Sequence, residues 1–369
     1  MIIILWVVLT PVVLGLLGFG IYLLKAVVQG YAEGLRYDPE AEETAASVAR
    51  RTADLGLLSA ERQNTKLAAP LSPALTVALA EARAGDWEPG ASLLDETART
   101  RDWERRAWLA YHLGLLAAED DAWLLSWESA RPDDPGAALV RARSTVCLAW
   151  NLRGAKRAKF TSAEQFAGFQ RTLPLADDQH ARAAKLAPAD DPCPYIGMIW
   201  SALGLGRGHE EMRRIWEEIT RRAPHHYQAH WTALQFWSAK WRGSEELARA
   251  FATKAAAGAP EGSLMTVFPL IAHFEHDTSD DTEVDRTPEM YAAVDAVLAD
   301  VAAADPDHPR LAEVRHVLAY YLDLQGRWDE AVEQFRQVDG HVGALPWSYR
   351  ADPAEHYCRT RDECVANAS

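Results

Sequence analysis

The sequence predicts an all-α protein, built of stacked helical hairpins and preceded by one transmembrane helix. Three observations predict it. Residues 2–24 carry no charged side chain. From residue 40 onward, apolar residues recur at i, i+3, i+4 and i+7 in blocks of about 12–16, with no period-two alternation long enough for a strand. Ala187-Pro188, Ala223-Pro224 and Ala259-Pro260 follow one another at intervals of 36 residues, each closing one helical pattern and opening the next. Composition bounds the rest. At 49% hydrophobic the chain can bury a core, and its net charge of −15 argues against a surface that tracks nucleic-acid phosphates. Four cysteines in 369 residues are too few for a disulfide scaffold.

The first element is the run IIILWVVLTPVVLGLLGFGIYLL. As a helix its 23 residues reach about 34 Å, against a hydrocarbon core of ~30 Å. A cleaved secretory signal does not fit, because the run is too long, no basic residue precedes it and no A-x-A site follows. Trp6 and Tyr22 sit near its ends, where aromatic rings favour the interface. Lys25, Arg36, Arg50 and Arg51 all follow it, so the positive-inside rule places the C-terminal side in the cytoplasm. The expected organisation is a single-pass cell-membrane protein. Residues 1–25 form the transmembrane helix, and 26–70 a tether, partly helical around Ala41–Arg62. Residues 71–340 hold the helical array, and 341–369 a cap with one short helix.

The clearest hairpin runs from Leu311 to Val338, with Leu318 and Ala319 where two helices cross, a turn at Gly326, then Ala331 and Phe335. These landmarks resemble one tetratricopeptide repeat over about 30 residues, although Arg315 stands where such repeats carry a Trp. Gly206, Gly208 and Gly243-Ser244 mark turns inside the units set by the Ala-Pro pairs. Ala84-Gly85-Asp86-Trp87 echoes Gln325-Gly326-Arg327-Trp328. Residues 71–340 therefore read as five to seven hairpins of a tetratricopeptide-like α-solenoid. The acidic stretch Asp277–Thr287 reads as a mobile loop within it. Most of the fourteen tryptophans fall at helical positions, where large rings fill gaps between hairpins.

The segment Pro224–Ser244, PHHYQAHWTALQFWSAKWRGS, gathers His225, His226, His230, Trp231, Trp237, Lys240, Trp241 and Arg242. Three chemistries compete for it. His226 and His230 share a helix face at the i, i+4 spacing of zinc-binding helices, with His273, Glu275 or His276 as the third ligand. The 36-residue period sets His273 about 10 Å out of register with His230, and no HExxH pattern occurs, so no metal is expected. The same period aligns Trp237 with His273 and Lys240 with His276, a polar-aromatic strip suited to a carboxylate or an acidic segment. The plainest reading is that the histidines cap and the rings pack, with Trp231 and Phe251 in the core. This segment and Leu311–Trp347, LAEVRHVLAYYLDLQGRWDEAVEQFRQVDGHVGALPW, resemble an uncharacterised actinobacterial family of helical-repeat proteins, a domain of unknown function. The likeness covers most of residues 75–350 and implies a helical-repeat fold, but no activity, substrate or catalytic residue.

No Walker-type loop, GxGxxG or Ser-His-Asp order appears. Cys147 falls in an apolar run, Cys193 between two prolines in a loop that reads as exposed, and His356, Cys358 and Cys364 make a weak metal pattern. The function expected is a membrane-anchored, non-enzymatic scaffold binding a protein partner at the cytoplasmic face, without cofactor or nucleic acid. Its partner-binding candidates are His226, His230, Trp237, Lys240, Trp241, Arg242, His273 and His276. The alternative is an enzyme or small-ligand binder with a pocket around Trp237, Lys240 and His273.

Overall fold

The computed structural model describes residues 39–154, 161–277 and 282–369. The run 2–24, and with it the expected membrane span, lies outside them. Among the described residues no helix is long and apolar enough to cross a membrane. All the regular structure described is helical: sixteen α-helices and four 3-10 turns, with an isolated bridge between Asn64 and His341. The chain divides into two compact units, Met1–Gly56 and Leu57–Ser369. The first contains α1, Pro39–Asp54, which stops short of the helical stretch expected to run to Arg62. A left-handed glycine at Gly56 follows, and then a short 3-10 turn at Ala60–Arg62.

In the second unit the helices come in consecutive pairs. They are α2 Pro73–Arg83 with α3 Glu88–Thr100, α4 Trp103–Glu119 with α5 Ala122–Ala130, and α6 Pro135–Arg153 with α7 Ala163–Leu186. Next come α8 Cys193–Gly204 with α9 His209–Arg222, and α10 Tyr227–Trp237 with α11 Glu245–Ala256. The series ends with α12 Phe268–His276 and α13 Pro288–Ala303, then α14 Leu311–Leu324 with α15 Trp328–Val338. Each of the three Ala-Pro pairs lies just past a second helix (α7, α9 or α11), where proline's missing N–H cannot extend the ladder. The acidic stretch carries a 3-10 turn at Thr282–Arg286.

The ends of the helices follow from local chemistry. Ser72, Asp102, Asp134, Ser244 and Thr287 each accept a hydrogen bond from a first-turn backbone N–H, and Pro73, Pro135 and Pro288 occupy first-turn positions. Ser162 and Gln165 form a reciprocal capping box on α7. The α14–α15 turn passes through Gly326 at φ 69°, a left-handed conformation that a Cβ would strain. Four apolar clusters run along the array, the largest reaching from α10 to the C-terminal helix α16, Pro353–Asn367. Trp127 and Trp347 are fully buried, as the packing role for tryptophan requires. Cys193, expected in an exposed loop, is buried: it starts α8 beside an inaccessible ion pair, Arg106 to Asp191 at 2.7 Å.

The two ends of this unit are joined. The stretch 58–67 lies along residues 339–343, with Asn64 N–H donating to Gly340 O (2.8 Å), Val342 N–H to Asn64 O (2.7 Å) and Gly343 N–H to Leu67 O (2.8 Å). Asp339 accepts from Leu58 N–H (2.6 Å), the Gln63 amide (3.0 Å) and Arg361 (2.8 Å), while Arg361 also donates to Leu58 O (2.7 Å). Arg361 and Asp339 are both buried, with side chains 2% and 8% exposed.

Candidate functional site

The histidines of the Pro224–Ser244 segment are already spoken for. His226 caps α10: its Nδ1 accepts from Ala229 N–H (3.3 Å), so Nε2 carries the proton and donates to Trp103 O on α4 (3.1 Å). His230 Nδ1 donates to His226 O (2.9 Å), and its ring packs edge-on to Trp216 at 4.9 Å. Burial pushes both imidazoles down to about 4, so they are neutral at pH 7. Backbone partners thus occupy both nitrogens of His226 and Nδ1 of His230. The strip is divided likewise. Lys240 Nζ donates to Glu275 (2.7 Å) and to Tyr349 Oη (2.8 Å), and His276 Nε2 accepts from Ala239 N–H (3.2 Å). Trp237 packs edge-on against His209 at 5.0 Å, and Trp241 against Trp150 at 5.6 Å. The Arg242 guanidinium lies over Gly206. His273 receives Arg249 at Nδ1 (3.4 Å) and donates from Nε2 to Asp285 (3.1 Å). Lys240 and His276 thus meet the α12 end together, whereas Trp237 and His273 each face other neighbours. Among the described residues, the group able to hold a cation is His273, Asp277 and Asp285, whose ligand atoms lie within 4.8 Å of one another.

The structure places a cavity elsewhere. About 420 Å³ of space lies against the first helices of successive pairs, within the size range of small-ligand sites. From α4 come Trp108, Tyr111 and His112; from α6, Arg143; from α8, Trp200. From α10 come Tyr227, Gln228 and Trp231, from α12 Ile271, and from α14 Glu313 and Val317, with Arg310 capping its start. Two stretches outside the α-helices complete the wall, 66–68 and 343–349, the latter ending in a 3-10 turn, and the junction of the two ends brings them together. None of Trp237, Lys240 and His273 lines it, although Tyr349, the partner of Lys240, does. Trp231 and Phe251, expected in the core, are half-buried, and Trp231 forms part of the cavity wall.

The chemistry of the wall is aromatic and cationic. Trp200 and Trp231 pack at a tilt of 44° with centroids 6.0 Å apart, and the Arg310 guanidinium covers Trp108 at 4.4 Å. Arg310 donates to Glu313 (2.6 Å) and to Gln228, which fixes it. Arg143 lies over Tyr111 at 4.9 Å and makes no ion pair or hydrogen bond among the described residues. His112 is held neutral, pushed down to about 4 by burial and then by Arg310 and Arg143. Behind the wall, the Glu104 carboxyl takes the Tyr227 N–H at the head of α10, and burial raises it to about 7. Comparison with family models, curated proteins and solved structures finds no match to this chain.

Trp108, Tyr111, His112, Arg143, Trp200 and Arg310 escaped the sequence reading because no two of them share a motif. A signal does exist. Trp108-x-x-Tyr111-His112 and Tyr227-Gln228-x-x-Trp231 each set aromatic and polar groups on one helix face at i, i+3 and i+4. Reading that face across all first helices, rather than one dense segment, would have located the cavity.

Proposed function

We propose that the chain is a membrane-anchored, non-enzymatic helical-repeat module whose task is to bind a compact ligand in the cavity against its first helices. The single observation that carries this reading is the cavity itself, about 420 Å³ walled by α4, α6, α8, α10, α12 and α14 together. A stack of first helices lining a concave face is what a tetratricopeptide-like α-solenoid offers, and that arrangement is part of the proposal. So are the anchor at residues 2–24, its cytoplasmic orientation and membership of the actinobacterial repeat family. The test is to purify the full chain in mild detergent, extract it and identify what it retains by mass spectrometry. A compound retained by the native chain and lost from a folded Trp231→Ala variant supports the reading. No compound enriched over that variant sinks it.

The anchor has its own test. The full chain should sediment with membranes and resist high salt, and a chain starting near residue 30 should stay in solution. A C-terminal reporter read from outside the cell would reverse the topology.

The scaffold reading, a protein partner, is favoured by one observation. Leu148 and Leu152 on α6, and Phe166 and Leu175 on α7, are exposed by 36–56%, with Leu152 lying against α7 at Gly168. Leu152→Asp with Leu175→Asp should abolish capture of such a partner while leaving the cavity ligand bound.

A further inference from the structure

The charge and the rings of the cavity wall point to the class of its ligand, and the argument rests on the cavity being the binding site. The wall carries Lys66, Arg143 and Arg310 against one carboxylate, Glu313, which Arg310 already holds. The chain as a whole is strongly acidic, at −15, so this cationic excess is a local construction. Arg143 is its free element. The guanidinium stacks on Tyr111, the stem packs on Gly114, and no carboxylate among the described residues reaches it. Three further nitrogens on wall residues, His112 Nε2, Trp200 Nε1 and Arg310 Nε, are buried without a hydrogen-bond partner. The Trp200 and Arg310 N–H groups are thus unmet donors, which cost stability in a wall already rich in cations. A guanidinium fork matches a carboxylate in two parallel hydrogen bonds, and indole surfaces lining a cavity suit a flat ring.

We propose that the cavity binds a small aromatic carboxylate, its ring among Trp108, Trp200 and Trp231 and its anionic oxygens on Arg143. A neutral ring leaves the guanidinium unmatched, and a bare anion leaves the indoles in water. The ligand must therefore carry both.

Calorimetric titration of the full chain in mild detergent tests this with three probes: indole-3-acetate, its neutral amide indole-3-acetamide, and acetate. Indole-3-acetate should bind at least tenfold more tightly than either of the others. Arg143→Met keeps the unbranched stem and should erase the preference over the amide, whereas Arg143→Lys should retain part of it. Thermal melting of each variant shows that the fold persists. Lys66→Met at the exposed rim provides a second variant remote from the packed wall, expected to weaken indole-3-acetate by a few-fold. Equal binding of acid and amide, equal binding of acetate, or no binding of indole-3-acetate would each overturn the proposal. Failure here alongside a retained compound that Trp231→Ala releases removes only the ligand class. Failure to retain any compound removes the binding-site reading instead.

Discussion

His316 shows how tightly single residues are tuned in this fold. Trp347 donates its indole N–H to Nδ1 (3.0 Å), and Nε2–H donates to Ala68 O (3.3 Å), so the neutral tautomer is fixed on both sides. Burial pushes this imidazole down to about 4, and a second proton would have to displace the Trp347 donor. The unfolded chain binds that proton near 6.5, so the stability contributed is complete above about 6.5 and is lost as pH falls toward 4. His180, His226 and His230 shift the same way, each to about 4. The melting temperature should therefore fall steadily from pH 6.5 to 4.5. A flat profile over that range would contradict neutral burial. His316→Ala should cost roughly 2–4 kcal/mol at pH 7, from a cavity plus two orphaned groups, and should flatten part of that slope.

At the scale of elements, close approach decides what each helix tolerates. Gly197 lets α8 lie against the buried ring of His180 on α7, and a methyl group there would overlap the imidazole. Gly197→Ala should destabilise by about 1–3 kcal/mol in denaturant titration. Gly208 caps α9 with nothing within 4 Å of an added Cβ, so Gly208→Ala should cost only the capping preference, about 0.5–1 kcal/mol. Similar losses at both positions would mean that helix packing is not what selects glycine. His226→Asn should keep the α10 cap but lose the bond to Trp103 O, which makes it milder than His226→Ala by about 1 kcal/mol. The helices themselves were legible because periodicity, caps and Ala-Pro boundaries are local signals. The cavity was not, because its residues come from six helices and two further stretches of chain, and only packing brings Trp108 to Arg310. The segment dense in His and Trp drew attention for its composition. In the fold His226 caps α10 and cross-links it to α4, and His230 bonds back to the His226 carbonyl.

The whole unit is held by the seam between its two ends. Arg361→Ala strands Asp339 among Leu58 and Gln63 with 8% of its side chain exposed, and breaking such a buried pair costs about 3–5 kcal/mol. Hydrogen exchange should then speed up in residues 58–68 and in α16 together, because one carboxylate serves both. Faster exchange confined to α16 would show that the ends are independent. Since residues 66–68 and 343–349 also close the cavity, the same variant should loosen any ligand held there.

The seam also sets an order of events during synthesis. Helices that pack on near neighbours in the chain, such as α14 on α15, can settle as they leave the ribosome. Leu58 and Asn64 emerge early, yet Asp339, Gly340 and Arg361 arrive some 280–300 residues later. Until then the leading stretch has no backbone partner and the cavity lacks two of its walls. Completion of the cavity is therefore coupled to translation of residues 339–361, and a nascent chain stalled before Asp339 carries most of the described helices but an unfinished pocket.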